Sequence, residues 1–366
     1  MDKKFVMSIA AMAALTLVSC SSDDLDSLSD NSSKNEAISF DSYLGRSAVA
    51  VNGTRGSVLD NTTLKDPANK GFGVFGNYSS DASQKFGANF FNNEEVTYSS
   101  SPEPAKWTYT NTKYWPSQGH IDFLAYAPYD SKYNDKVSEG NQKLTFTVNS
   151  TIKDQKDLLW ANTANKTNGT VTFNFAHALS RLGYTVKLNK AVDESKATIT
   201  LKNITLAGSP DGTSKKAFYI DGNINLVKAT DATDATSLWE AATSDDNKQI
   251  FNWFSSDKPL NNAVSNAEIK NPDNEYLFVI PQDFSNGNAN NDELYVVVSY
   301  TIEYKSGSAK PTVSYTVSSK IEKNFEQGKA YTINLNIGLT PIEFNATVTD
   351  WVTTENPIND IPVTWN

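Results

Sequence analysis

The chain has 366 residues, which at roughly 150 residues per domain is room for about two. Charged residues make up 20% and apolar residues 39%, both below the usual share, and Asn, Ser and Thr take up the difference. A net charge of −10 argues against nucleic acid and against an electrostatic hold on anionic membranes, both of which need clustered Lys and Arg. Two His and one Cys exclude His/Cys-rich zinc sites, CxxC redox sites and an internal disulfide. No metal or other cofactor is expected, and an enzyme would have to work with carboxylates or hydroxyls alone. The 7 Trp, 16 Tyr and 18 Phe supply bulk for two cores, so the chain is not disordered throughout.

The first segment is an address. Lys3 and Lys4 precede an apolar stretch from Phe5 to Val18, shorter than the ~20 residues of a spanning helix. This is the pattern of a secretion signal. It ends Leu17-Val18-Ser19-Cys20, which resembles the bacterial lipobox, where the Cys is diacylated and becomes the mature N-terminus. The alternative is an ordinary signal peptide with an incidental Cys; the only Cys of the chain standing at the required place favours lipidation. Acyl chains would anchor the protein firmly, at about 0.8 kcal/mol per buried CH₂. Residues 21–36 are rich in Ser and Asp and read as a flexible acidic tether. An acidic patch behind a lipidated Cys also resembles the surface-export signal of some anaerobic Gram-negative bacteria.

Beyond the tether, apolar and polar residues alternate with period two, the signature of half-buried strands. Ala37 to Leu44 is the first such run, with Ile38, Phe40 and Leu44 on one face. Leu144 to Val148, Val171 to Phe175, Ala197 to Leu201 and Ile204 to Leu206 follow. Tyr276 to Ile280 is continuously apolar, as for a strand buried on both faces. Leu294 to Tyr304 and Val313 to Ile321 flank a Lys-Ser-Gly-Ser turn and predict a hairpin. Tyr331 to Ile337 and Ile342 to Val348 close the series. Helical patterns are few and short: Ala178 to Leu182, Ser237 to Thr243 and Gln249 to Phe254. The fold class expected is all-β, with sandwiched sheets and short helical insertions. The charged run from Lys187 to Lys196 suggests a division near residue 188, giving an N-terminal sandwich over 37–188 and a C-terminal one over 189–340.

Local motifs argue for structure rather than chemistry. Gly71-Phe-Gly-Val-Phe-Gly76 matches GxGxxG, but no strand precedes it and no helix follows, so it reads as a core strand. His120 and His177 have no Cys or second His at metal-ligand spacing and read as structural or exposed. There is no GxSxG elbow. Paired glycosidase carboxylates come from distant strands, and nothing here singles out a pair. Trp107, Tyr109, Tyr114, Trp115, Phe123 and Tyr126 are concentrated within a short stretch. They serve either as core or as an exposed platform for a glycan, and the alternation of Phe123, Ala125 and Ala127 favours core.

Tyr114-Trp-Pro116 followed by Phe123-Leu-Ala-Tyr-Ala-Pro128 resembles the fimbrillin family, the type V pilins and their relatives. Further resemblances follow in order: Asp157-Leu-Leu-Trp-Ala161, Phe175-Ala-His-Ala-Leu179, Ile199 to Ile204, Val279-Ile-Pro-Gln282, Phe325 to Tyr331 and Val348-Thr-Asp-Trp351. Thr54-Arg55 ahead of Gly71 to Tyr78 fits too, and the whole covers about residues 36 to 352. The resemblance implies two tandem transthyretin-like β-sandwich domains, export as a lipoprotein and assembly on the cell surface. In polymerising members an Arg-specific protease removes the lipidated N-terminal segment with the first strand, and the vacated groove accepts a strand from another subunit. The physics is strand addition, with backbone hydrogen bonds for hold and alternate side chains for fit.

The chain has three Arg, at 46, 55 and 181, and two of them lie just after the first strand. Cleavage after Arg46 or Arg55 would release Ile38, Phe40 and Leu44 together, and the Thr-Arg context leans to Arg55. Both would equally be ordinary loop residues in an uncleaved anchor or tip. Residues 341–366 form a C-terminal appendage, with Ile361, Val363 and Trp365 at period two as a candidate donor strand. Pro357 and Pro362 interrupt it, which suits an edge or inserted strand. Deleting 357–366 is expected to leave a folded monomer that does not polymerise. The expected protein is a non-enzymatic pilus subunit on the outer membrane, exposed at the surface. Its partners are other subunits, itself or paralogous, and a host or bacterial surface ligand, with the membrane held through lipid before any cut. The alternative is a surface glycan-binding lipoprotein using exposed aromatics.

Overall fold

The computed structural model describes residues 36–44, 58–227, 238–241, 244–261, 269–270, 276–306, 310–339, 343–350 and 358–362. The chain opens with β1 (Ser39–Leu44), β2 (Phe72–Ser79), β3 (Phe91–Ser99), β4 (Lys106–Thr108) and β5 (His120–Ala127). Next come β6 (Lys143–Thr147), β7 (Leu159–Lys166), β8 (Thr170–His177), β9 (Ser180–Leu188) and β10 (Ala197–Ala207). Short strands follow: β11 (Phe218–Tyr219), β12 (Asp221–Asn225), β13 (Trp239–Ala241) and β14 (Lys248–Gln249). Then come β15 (Phe251–Leu260), β16 (Ile269–Lys270), β17 (Leu277–Val279), β18 (Gln282–Asp283) and β19 (Tyr295–Tyr304). The last are β20 (Thr312–Lys320), β21 (Asn324–Phe325), β22 (Lys329–Ile337), β23 (Glu343–Asp350) and β24 (Ile358–Pro362).

Three large sheets carry the architecture. A seven-stranded sheet has the order β1-β8-β7-β5-β2-β3-β4, and a four-stranded sheet the order β15-β10-β19-β20. A six-stranded sheet runs β16-β9-β22-β23-β24, with β17 also on β9. β6 from the N-terminal half pairs with β12 from the C-terminal half, so a small third layer stitches the halves together. The fold is all-β.

The central strands β2 and β5 of the seven-stranded sheet are buried on both faces, and their alternate residues enter different cores. Every residue of β5 is buried. Phe123 and Ala125 enter one core with Phe72, Val74, Phe91 and Phe173. Leu124 and Tyr126 enter the other with Phe75 and Trp160, and that second core runs on through β9, β10, β19 and β22. The sheet is therefore a shared wall between two cores.

The GxGxxG glycines serve this wall. A Cβ on Gly73 would lie 2.4 Å from the Tyr126 ring and 2.6 Å from Asn93 Oδ1, and one on Gly76 would lie 2.8 Å from the Phe91 ring. They make room for neighbouring side chains across the sheet, and no helix follows them.

Two apolar runs read separately in the sequence form one strand, β10. A bulge between Leu201 and Asn203 shifts the register. It moves the buried positions from odd (Ile199, Leu201) to even (Ile204, Leu206), so both halves keep their apolar side on the core. The hairpin expected around residue 308 is present as antiparallel β19 and β20.

The helical insertions are placed differently from expectation. Ser180 to Leu182 open β9, and residues 249–254 lie on β14 and β15. Of Ser237 to Thr243, residues 239–241 form β13, while 237, 242 and 243 lie outside the described residues. A short helix has to meet the cost of nucleation with few hydrogen bonds in return, whereas β9 finds partners on both sides in β17 and β22. The helical segments among the described residues are single 3₁₀ turns at 63–65, 67–69, 131–133, 152–154 and 245–247.

Candidate functional site

β1 is the terminal strand of the seven-stranded sheet, and its sequence explains its seat. Ile38, Phe40 and Leu44 are buried, while Ser39, Asp41 and Tyr43 face out. The strand runs parallel to β8, with Ser39 beside Thr170 and Leu44 beside Phe175. Ser39 and Thr170 join hydroxyls at 2.8 Å. At its N-terminal end β1 is held from the other side as well. Ile38 N donates to Lys113 O at 2.8 Å and Trp115 N donates to Glu36 O at 3.0 Å. β1 thus closes the gap between β8 and the 113–115 segment.

Phe40 sits at the centre of an aromatic core. Its ring lies 5.5 Å from Phe91, 5.3 Å from Tyr109, 5.9 Å from Phe123 and 5.8 Å from Phe173. These edge, tilted and stacked contacts each add about 0.5–1.5 kcal/mol beyond area burial. Tyr109 reaches over the strand and donates its hydroxyl to Ile38 O at 2.8 Å. Burial raises the Tyr109 pKa, which keeps that hydroxyl protonated as a donor.

The far end of β1 is clamped by one side chain. Asn61 Oδ1 accepts from Leu44 N at 2.8 Å, and Asn61 Nδ2 donates to Leu44 O at 2.7 Å. The carboxamide thus mimics a neighbouring strand residue. Asn61 is fixed by its surroundings. Asp60 Oδ1 accepts from the backbone of Thr62 at 2.8 Å and of Thr63 at 2.6 Å. Leu59 N donates to the buried Asp157 Oδ2 at 3.0 Å, and His177 Nδ1 lies 2.8 Å from the same oxygen. Leu59 and Leu64 are themselves buried. The start of the body at residues 58–64 and the end of β1 are therefore locked together.

Arg46 and Arg55 fall in 45–57, between these locked ends and outside the described residues. The third Arg, Arg181, belongs to β9, where its guanidinium lies 4.3 Å from the centre of the Tyr276 ring. Cys20, Val363 and Trp365 lie outside the described residues, and Ile361 lies on β24 beside Ala346. The structure brings Ile38, Phe40 and Leu44 together with Asn61, Tyr109 and Asp157. Of those three, Tyr109 stands in the aromatic stretch and Asp157 in the Asp157-Leu-Leu-Trp-Ala161 motif, while no sequence signal marks Asn61.

The aromatics expected as core are core. Trp107, Trp115, Trp160, Trp239 and Trp253 are each at most 7% exposed, which leaves no Trp platform among the described residues. Tyr114 is the exception within the aromatic stretch, at 54% exposed. His120 lies 3.3 Å from Asp122, whose carboxylate also accepts from the backbone of Lys85 and Asn165. Both His are thus structural. Among the described residues no group of three or more His, Cys, Asp or Glu is placed to hold a metal.

A family model described as fimbrillin-like matches residues 58–351. The chain belongs to the fimbrillin-like family. A fimbrium subunit, Fim1C of Phocaeicola vulgatus, is 28% identical over 369 aligned residues, covering 92% of this chain and 93% of that protein. The crystal structure of a fimbrial protein from Bacteroides vulgatus matches with a TM-score of 0.60 and 25% identity, over 87% of this chain and 100% of that one. For a fimbrillin-like chain, the seat of β1 is the place where packing and surface meet. A single strand fills an aromatic groove, and one stretch of chain with two Arg links it to the body.

Proposed function

We propose that this chain is a non-catalytic pilus subunit, exported as a lipoprotein on Cys20, displayed on the outer membrane and assembled by strand exchange. The observation that carries the reading is the construction of β1. It contributes three buried side chains to the core, is bonded as a strand to β8, and is followed by residues 45–57 with both candidate cleavage sites. A cut after Arg55 or Arg46 turns it into a separable plug. Its Thr-Arg context makes Arg55 the preferred site. Once the plug leaves, the groove keeps its aromatic walls and the free hydrogen-bonding edge of β8, a combination that takes up an extended strand. The C-terminal appendage, residues 341–366, supplies such a strand to a neighbour. The charged run from Lys187 to Lys196 places the division between the two sandwiches near residue 188, while the chain passes from the seven-stranded to the six-stranded sheet at residues 178–179, between β8 and β9. A surface filament that contacts host or bacterial ligands is the role that follows.

The test is the mature N-terminus of protein extracted from the cell surface, combined with electrophoresis after mild heating. An N-terminus at Gly56 or Ser47 and a ladder of multimers are expected. An intact lipidated Cys20 in the assembled form would remove the maturation step from the scheme.

A further inference from the structure

We infer that the strand which replaces β1 comes from a second copy of this chain, and that it is segment 342–348 in one defined register. The inference rests on the strand-exchange reading above. Residues 38–44 read Ile-Ser-Phe-Asp-Ser-Tyr-Leu, and residues 342–348 read Ile-Glu-Phe-Asn-Ala-Thr-Val. Laid together without a gap, the inward positions correspond one by one. Ile38 meets Ile342, Phe40 meets Phe344, Ser42 meets Ala346 and Leu44 meets Val348. At one outward position Asp41 meets Asn345.

The groove makes these positions selective. The Phe40 place is walled by Phe91, Tyr109, Phe123 and Phe173, so it asks for an aromatic ring. The Ile38 and Leu44 places are closed to water and ask for branched aliphatics. Both segments carry a small residue between the Phe and the last apolar position. Residues 342–348 contain no Pro, so no backbone donor is missing from a ladder with β8. The other candidate, Ile361-Pro-Val-Thr-Trp365, fits less well. With Ile361 in the place of Ile38, Val363 stands in the aromatic slot, Trp365 in the small one, and Pro362 removes a donor from the ladder.

The register of β23 in its own chain agrees. Phe344, Ala346 and Val348 stand opposite Leu335, Ile333 and Tyr331 of β22, all three buried. The three positions alternate along β23 as Phe40, Ser42 and Leu44 do along β1. β23 has only β24 outside it, so it lies one strand from the edge. The correspondence of the inward positions also gives cleavage its purpose. While β1 is tethered it competes as an intramolecular strand, at an effective concentration of order millimolar. After the cut that advantage is lost each time it dissociates, and an equivalent strand from a neighbour takes its place. One chain then carries both groove and match, so the filament is built from copies of itself.

The experiment uses the full chain with a site for a sequence-specific protease installed within residues 47–54. After cutting, it is incubated with synthetic peptides covering 341–350, 341–350 with Phe344→Ala, or 357–366. Native mass spectrometry reads which strand the body holds. The 341–350 peptide is expected to displace the N-terminal fragment one for one, and Phe344→Ala to weaken it by about tenfold or more, as for a buried aromatic anchor. Displacement by 357–366 and not by 341–350, or equal binding of the Phe344→Ala peptide, would overturn the register while leaving strand exchange intact. An N-terminal fragment that no peptide and no second copy of the cut chain displaces would bring down the exchange reading itself.

Discussion

Asn61 shows how much one side chain holds at this site. Its carboxamide bonds both backbone groups of Leu44, and nothing in the sequence pattern marks it. Asn61→Ala removes two hydrogen bonds of about 1 kcal/mol each. In a chain cut within 45–57, release of the N-terminal fragment is expected to speed up by about tenfold or more, a rate read by size exclusion at timed intervals. An unchanged rate would mean that the clamp does not hold β1. Asp157 acts at one remove, since its carboxylate holds Leu59 N and faces His177 with no exposure to water. Asp157→Ala leaves Leu59 N–H without this acceptor and His177 without its carboxylate, for an expected loss of about 3 kcal/mol in urea denaturation.

Strands in this protein are placed by alternation and corrected by packing. Phe72 and Val74 are legible as one face of β2 from the sequence alone, but the reason for Gly73 and Gly76 is not. It lies on neighbouring strands, in the rings of Tyr126 and Phe91. Gly73→Ala is expected to cost about 1–3 kcal/mol through overpacking, measured as a fall in the urea midpoint at constant slope. The β10 bulge is a second case. Removing Lys202 would place Ile199, Leu201, Ile204 and Leu206 on one unbroken alternation against Ile302, Tyr300, Val298 and Val296 of β19. That variant is expected to keep cooperative thermal unfolding in differential scanning calorimetry, and loss of the cooperative transition would mean that the pairing with β15 needs the extra residue. Ala178 to Leu182 has helical spacing, yet its last three residues open β9, because partners on both sides outweigh a weak local preference.

At the scale of the molecule, β1 is structural in the intact chain, and the proposed cut would make it removable. Ile38, Phe40 and Leu44 each contribute about 1.5–3 kcal/mol by burial, a large share of a typical domain's 5–15 kcal/mol. A chain produced from Gly56 onward is therefore expected to bind a hydrophobic dye and to associate. A peptide of residues 36–45 added in trans is expected to suppress both. Dye fluorescence indifferent to that peptide would count against an open groove. The shared wall has a consequence at the same scale. The seven-stranded sheet contributes to both cores, and alternate residues of β2 and β5 lie between the groove and the larger core.

What the sequence determined by itself is local and periodic. The alternation at Ile38, Phe40 and Leu44, the hairpin of β19 and β20, and the scarcity of catalytic residue types all follow from residue identity and spacing. So does the ordered set of motifs that marks the family, because period two and turn chemistry act over a few neighbours. Tertiary structure decided the rest. It set β1 parallel to β8, gave Asn61 its two bonds to Leu44, paired Asp157 with His177, and buried both faces of β2 and β5. Each of these joins residues from separate elements, through contacts that form only once the chain has folded, and no local pattern encodes which partners will meet.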